Sequence, residues 1–242
     1  MNQLVVFLVV TFFIFGCNAK PEPRNNSTPK LFNAVNSDPA AVELADSIIS
    51  SAGGKAAWEK IRFISWKDGK FNFYWDKKAS NVRIADENRI AIINLSSRDG
   101  RIQMGGTEVA DSTAVKQELT GAFQRWRLSS NKIFITYQLK EVGNSLLYFG
   151  EEIVNDKRYN VLEVNFKTKA GKTKYVLFVG LKNNRIEQLH YYPKKNQSSA
   201  TVIFRYPEYK NANGIILSIP SPSDISNVRI GEDIPEDLFT DF

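Results

Sequence analysis

The chain has 242 residues, with a single histidine and a single cysteine, so the groups able to do chemistry are few. His190 stands mid-strand in Gln188-Leu189-His190-Tyr191-Tyr192. A Ser-His-Asp arrangement would want a serine on a sharp elbow, and no Gly-x-Ser-x-Gly run occurs. A sheet-face histidine making ordinary hydrogen bonds is the plainer reading. Zinc needs several nitrogen or sulfur ligands, which one His and one Cys cannot supply. Acidic pairs occur at Asp86-Glu87, Glu151-Glu152 and Glu232-Asp233. Neighbours on a strand point to opposite faces, so these pairs do not converge on one proton or cation. No EF-hand spacing and no Walker-type or dinucleotide glycine loop is present. The acids read as turn and surface groups. No catalytic residue, metal or cofactor is expected, and the chain is not expected to be an enzyme.

What the chain has in excess is aromatic side chains, 12% of all residues. Phe71, Phe73, Trp75, Phe123, Trp126, Tyr148, Phe178 and Phe204 could line an apolar ligand cavity, since ligand sites are concave and mostly apolar. An ordinary dry core is the competing reading for each of them. Arg125-Trp126-Arg127 could mark an exposed interaction spot, or a core tryptophan flanked by solvated arginines.

Cys17 has a context of its own. Leu4 to Phe15 are almost all apolar, a run shorter than the roughly 20 residues that span a bilayer and of signal-peptide length. Gly16 then precedes Cys17. This stretch resembles the bacterial lipoprotein signal, although Met1-Asn2-Gln3 lacks the usual basic residue. The resemblance implies cleavage between Gly16 and Cys17, and acylation of the Cys17 sulfur and new amine. Several acyl chains hold firmly, each buried CH2 contributing about 0.8 kcal/mol. Asn18 is not the aspartate associated with inner-membrane retention in lipoprotein sorting. The expected location is therefore the outer membrane, on its periplasmic face or at the cell surface.

The charge balance is 32 basic against 26 acidic residues, a net +6. The basic residues are scattered, Lys194-Lys195 being the longest cluster, which argues against a nucleic-acid partner. A solvated basic surface accounts for them, with some attraction to anionic headgroups.

The elements that must position these groups follow in order. Asn18 to Ser37, with Pro21, Pro23 and Pro29, reads as a tether too polar to offset its own ordering entropy. Asp38-Pro39 opens a helix that Asp38 could cap, with Val42, Ala45, Ile48, Ile49 and Ala52 as its apolar stripe. Gly53-Gly54 ends it, and Lys55 to Ile61 reads as a short second helix. From Arg62 the period becomes two: Phe71, Phe73 and Trp75 share a strand face. Strand segments follow around Val82–Ile84, Ile90–Leu95 and Ile102–Met104. A further helix is expected from Asp111 to about Ser129, striped by Val115, Leu119, Ala122, Phe123 and Trp126. An antiparallel meander comes next: Leu146–Glu151, Tyr159–Lys167, Thr173–Leu181, Arg185–Tyr192, Thr201–Tyr206 and Gly214–Ser218, with Asn213-Gly214 as a hairpin signal. Tyr175 to Val179 is apolar on both faces, so the second face needs a cover or a cavity. Ile230 to Phe242 reads as a closing strand and a tail packing Leu238 and Phe239 on the body.

The helix leading into Ala52-Gly53-Gly54-Lys55-Ala56-Ala57-Trp58-Glu59-Lys60-Ile61, the words Tyr148-Phe149-Gly150-Glu151-Glu152 and Tyr159-Asn160-Val161-Leu162, and the Ile234-Pro235 to Phe239 end together resemble bacterial lipoproteins of the LolA/LolB-like superfamily. The resemblance covers nearly all of residues 38–242. It implies an α+β fold: a half-open antiparallel β-barrel, a curved meander sheet with helices covering the concave face. Carriers in that superfamily hold lipoprotein acyl chains there. The organisation expected is a signal peptide over 1–16, a lipidated tether over 17–37 and a half-barrel domain over 38–242. Two functions stay open: an anchored, non-catalytic protein that binds a lipid or other apolar ligand, or a structural lipoprotein of an envelope complex whose core is filled. One fold hosts many functions, so the shape does not name the cargo. The protein partner is unknown.

Overall fold

In the computed structural model, residues 32, 34–168, 171–231, 233, 235 and 237–242 are described. The expected signal peptide, Gly16 and Cys17, and most of the tether lie outside them. Helix α1 (Pro39–Ser51) and helix α2 (Gly54–Lys60) come first. They are followed by β1 (Phe63–Asp68), β2 (Phe71–Asp76), β3 (Asn81–Ala85), β4 (Arg89–Asn94), β5 (Gly100–Met104) and the two-residue β6 (Thr107–Glu108). Helix α3 (Ser112–Gln138) then leads to β7 (Ser145–Val154), β8 (Lys157–Thr168), β9 (Gly171–Gly180), β10 (Ile186–Tyr192) and β11 (Val202–Arg205). A hairpin of β12 (Lys210–Ala212) and β13 (Ile215–Leu217), and a last strand β14 (Ile225–Gly231), complete the order.

The fold is α+β, antiparallel throughout its paired strands, and open. The strands form two main sheets, β14-β1-β2-β3-β4-β5-β6 and β11-β10-β9-β8-β7, with β12-β13 apart. The meander is interrupted because α3 intervenes in the chain between β6 and β7. The first sheet owes its inner face to period-two alternation. Ile64, Trp75, Val82 and Ile93 form one cross-strand row, and Trp66, Phe73, Ile84, Ala91 and Ile102 the next. All nine are buried. Leu162, Val164 and Phe166 do the same for the second sheet, against Leu177, Tyr175 and their neighbours.

Helix α3 contributes to both cores. Leu119, Ala122, Trp126, Ile133 and Phe134 pack with the first sheet, while Ile135 and Leu139 pack with the second. The expected stripe is therefore present, but the helix runs nine residues past Ser129. Ser129-Ser130-Asn131 are weak helix formers. Tertiary partners offset that weakness: the Ser129 hydroxyl donates to Asp68 at 2.7 Å, and Asn131 donates to the Tyr175 hydroxyl at 3.2 Å. Asp111 caps the start, accepting from the Ala114 amide at 2.7 Å.

Helix α1 covers the second sheet through Ala41, Ala45 and Ile48, a stripe rotated from the expected one, with Val42 and Ile49 only half-buried. Asp38 does not cap it. Its carboxylate accepts instead from the Tyr148 amide at 3.0 Å, and the Ser37 hydroxyl accepts from the Leu146 amide at 3.0 Å. These are edge-strand donors of β7, which no neighbouring strand satisfies on that side. Phe32 packs on the second core. With the Ser37 hydroxyl on the edge of β7, this places an apolar and a polar contact of residues 32–37 on the body.

Two tight places fix the layout. Gly53 has φ +105°, and a Cβ there would stand 2.2 Å from the Gly214 carbonyl oxygen. Only a bare backbone lets the α1–α2 joint meet the β12–β13 turn. That turn has φ 51° at Asn213 and 84° at Gly214, which suits its Asn-Gly sequence. The closing strand is β14, earlier than the expected start at Ile230, and it pairs with β1. Leu238 and Phe239 are half-buried, and the tail is held by Arg83, donating to the Leu238 carbonyl at 3.3 Å, and by Arg101, donating to the Thr240 carbonyl at 2.8 Å. Among the described residues no helix is long and apolar enough to cross a membrane.

Candidate ligand slot between helix α3 and the second sheet

The second sheet builds a concave apolar wall from two cross-strand rows. Tyr175, Tyr191 and Val202 form one, and Leu177, Leu189 and Phe204 the other. β11 ends the sheet, so this wall lies at its margin, where Arg205 at the end of β11 is bridged to Ser221. Leu128 and Lys132, one helical turn apart on α3, face it. Together they leave a slot of about 250 Å³ lined by Leu128, Lys132, Tyr175, Leu189, Tyr191, Val202 and Phe204.

One end of the slot is polar. Lys132 Nζ donates to both Asp68 oxygens, at 2.7 and 3.0 Å, and lies 5.9 Å from the Phe204 ring. Asp68 Oδ2 also accepts from the Ser129 hydroxyl, which in turn accepts from Trp66 Nε1 at 2.8 Å. The ammonium is thereby fixed in place and largely neutralised. Tyr175 is held protonated by burial, its pKa pushed well above the ordinary phenol value. The slot therefore offers apolar surface, a paired cation and a neutral phenol.

The eight aromatic residues singled out from sequence fall in three places. Phe73, Trp75 and Trp126 are buried in the first core, with Phe71 and Phe123 packed at its border. Tyr148 borders the second core, and Phe204 belongs to it and lines the slot. Phe178 lies on the other side of the second sheet, edge-on to Tyr159 at 5.9 Å. One residue of the eight thus reaches the slot. Leu128, Lys132, Tyr175, Leu189, Tyr191 and Val202 were not singled out. The alternations Leu189-x-Tyr191 and Val202-x-Phe204 carry the signal for four slot positions, once β10 and β11 are paired.

His190 lies on the sheet face opposite the slot. Its Nε2 is 3.4 Å from Gln188 Oε1, and its ring packs on Phe178 at 4.5 Å. Burial, with Arg205 nearby, pushes its pKa down. Asp86 behaves as a turn acid, accepting from the Asn88 and Arg89 amides and pairing with Lys70 at 3.2 Å. Glu151 pairs with Arg158 at 3.4 Å. Among the described residues no group of three or more metal-ligating side chains comes together.

No family model matches the chain, and no curated protein matches it. Among solved structures it is similar to a DUF1329 family protein from Desulfovibrio piger, 16% identical over 84% of this chain and 98% of that one, with a TM-score of 0.45. It is also similar to a LolA superfamily protein from Nitrosomonas europaea, 14% identical over 81% of this chain and 97% of that one, with a TM-score of 0.40.

Proposed function

We propose that this protein is a non-catalytic lipoprotein of the cell envelope, anchored through Cys17, that holds an apolar chain of a lipid or similar ligand in the slot between α3 and the second sheet. The observation that carries the reading is the slot itself: apolar side chains on the sheet wall, Leu128 on the helix wall, and a single paired cation at one end. Leu128 is 40% exposed, so apolar surface at this margin is in contact with water and gains from being covered. The outer membrane is the location proposed for the anchor, on the argument from Asn18.

The test is lipid extraction from the natively expressed protein with mass spectrometry, together with binding of a fluorescent fatty-acid probe. Val202→Trp fills the slot from a half-buried position on an edge strand. Probe affinity should fall at least tenfold while the melting temperature stays within a few degrees. Unchanged probe binding in a folded Val202→Trp protein would sink the slot as the site.

A specific observation favours the second reading for the other half of the molecule. The concave face of the first sheet is filled by Trp66, Phe73, Trp75, Trp126 and Phe134, in ring contact at 4.9 to 6.3 Å. If native protein carries no lipid and ignores the probe, a structural envelope lipoprotein with a filled core is the better description.

A further inference from the structure

A second concavity lies at the β14 edge of the first sheet. It is a cleft of about 510 Å³ between β14 and the segment carrying the β12–β13 hairpin. Among the described strands β14 pairs with β1 alone and ends its sheet. Its other edge faces the cleft. Asn213 Nδ2 donates to the Ile230 carbonyl at 2.9 Å, so that carbonyl points away from β1. The register against β1 shifts between Arg229 and Ser226, where Asn227 has φ 53°, so the regular part of the free edge is Val228 to Gly231. The floor and flanks are aliphatic: Leu217, Ile219, Val228 and Ile230 line it. Ser218, also on the lining, is 5% exposed, and its hydroxyl oxygen is shielded from solvent. At the mouth Glu208 and Lys210 carry opposite charges, and none of the described lining residues is aromatic.

From these features we propose that the cleft binds an extended polypeptide segment, which adds to the free edge of β14 as an extra strand. A strand edge supplies backbone donors and acceptors in a row, and alternating aliphatic pockets select the side chains. The Asn213 amide already occupies the Ile230 carbonyl with the chemistry of a peptide N–H. The absence of net charge selects an uncharged segment with aliphatic side chains at alternate positions. A sugar would want an aromatic face, and a lipid would leave the β14 edge unpaired.

The test uses the full chain carrying Cys17→Ser and a fluorescein-labelled, acetylated hexapeptide alternating valine and threonine, followed by anisotropy. Two further peptides carry N-methyl groups on the odd or on the even amides. The parent peptide should bind below about 1 mM, and at least one N-methylated peptide should lose tenfold or more. Ile219→Glu, at a 40% exposed position, should weaken binding at least tenfold. Asn213→Gly keeps the positive φ and frees the Ile230 carbonyl, so it should tighten binding several-fold, a gain that misfolding cannot imitate. Val202→Trp, in the lipid slot, should leave peptide affinity unchanged, which separates this site from that one. Absence of binding up to about 1 mM, equal affinity for both N-methylated peptides and the parent, or indifference to both cleft variants would overturn the proposal.

Discussion

Lys132 Nζ sits 2.7 Å from Asp68 Oδ2, joining the middle of α3 to the end of β1 at the polar end of the ligand slot. The two side chains are 26% and 14% exposed, so the pair is shielded and its loss is felt. Asp68→Asn leaves the ammonium without its counter-charge and the Ser129 hydroxyl with a weaker acceptor. Stability should fall by about 1–3 kcal/mol. A single-chain probe with a carboxylate head should bind several-fold tighter, because Lys132 is then free to meet it. Equal affinity for charged and uncharged probes in Asp68→Asn would show that Lys132 does not face the ligand.

Trp126 is packed edge-on to Trp75 at 5.3 Å and lies 5.6 Å from Phe123. At 7% exposure it is part of the first core. Trp126→Ala should cost about 3–5 kcal/mol in denaturant unfolding, with no effect on the fatty-acid probe beyond that of lost folded protein. A small loss with altered probe binding would mean that ligand reaches the first core and that the slot is only its entrance.

Lys77 closes the end of α2. Its ammonium donates to the Trp58 carbonyl and, at 3.1 Å, to that of Ile61, and stands 3.7 Å from the centroid of the Trp58 ring. These are carbonyls that a helix end leaves unpaired. Burial nevertheless pushes its pKa down to about 8, with Glu59 pulling weakly the other way. The unfolded chain, with an ordinary lysine near 10.4, then binds more protons between those values. Stability should therefore rise with pH from about 8 to 10 through this group. Above pH 10 the buried tyrosines reverse the slope: Tyr137, pushed up to about 12, stays protonated in the folded state while the unfolded phenol ionises. Urea unfolding at pH 7, 8, 9 and 10 should show the rise in the native sequence and a flatter curve in Lys77→Met. An equal rise in both would assign it elsewhere.

Cys17→Ser should release the protein from membranes or leave an unprocessed precursor, since the only thiol in the chain is the only group that can take a thioether lipid. Fractionation and intact mass read the outcome. A protein still in the membrane fraction with unchanged mass would end the lipoprotein reading.

The local chemistry of this chain was legible in its sequence because it depends on neighbours along the chain. Period-two alternation at Phe71-x-Phe73-x-Trp75 places those rings on one face whatever the sheet pairs with. Asn213-Gly214 demands positive φ at both positions. The stripe Leu119, Ala122 and Trp126 follows from 3.6 residues per turn. The docking of Leu238 and Phe239 was foreshadowed by two large apolar residues in a charged tail. Where an element ends, and what it meets, was not legible. Helix α3 continues through Ser129-Ser130-Asn131 because Asp68, more than 60 residues earlier, and Tyr175, 44 residues later, satisfy side chains that would otherwise compete with the helix. Asp38 abandons its helix cap because the edge of β7 offers it an amide. The slot exists only where Tyr191 and Val202 come into register across β10 and β11 opposite Leu128. Pairing register and the placing of α3 between two sheets are set by long-range packing, and a one-residue slip would turn the same alternating residues to the other face. Residue types and spacing therefore determined most of the elements and the apolar faces of the strands and of α3. Only the tertiary structure decided which aromatics fill the core and which few residues leave room for a ligand.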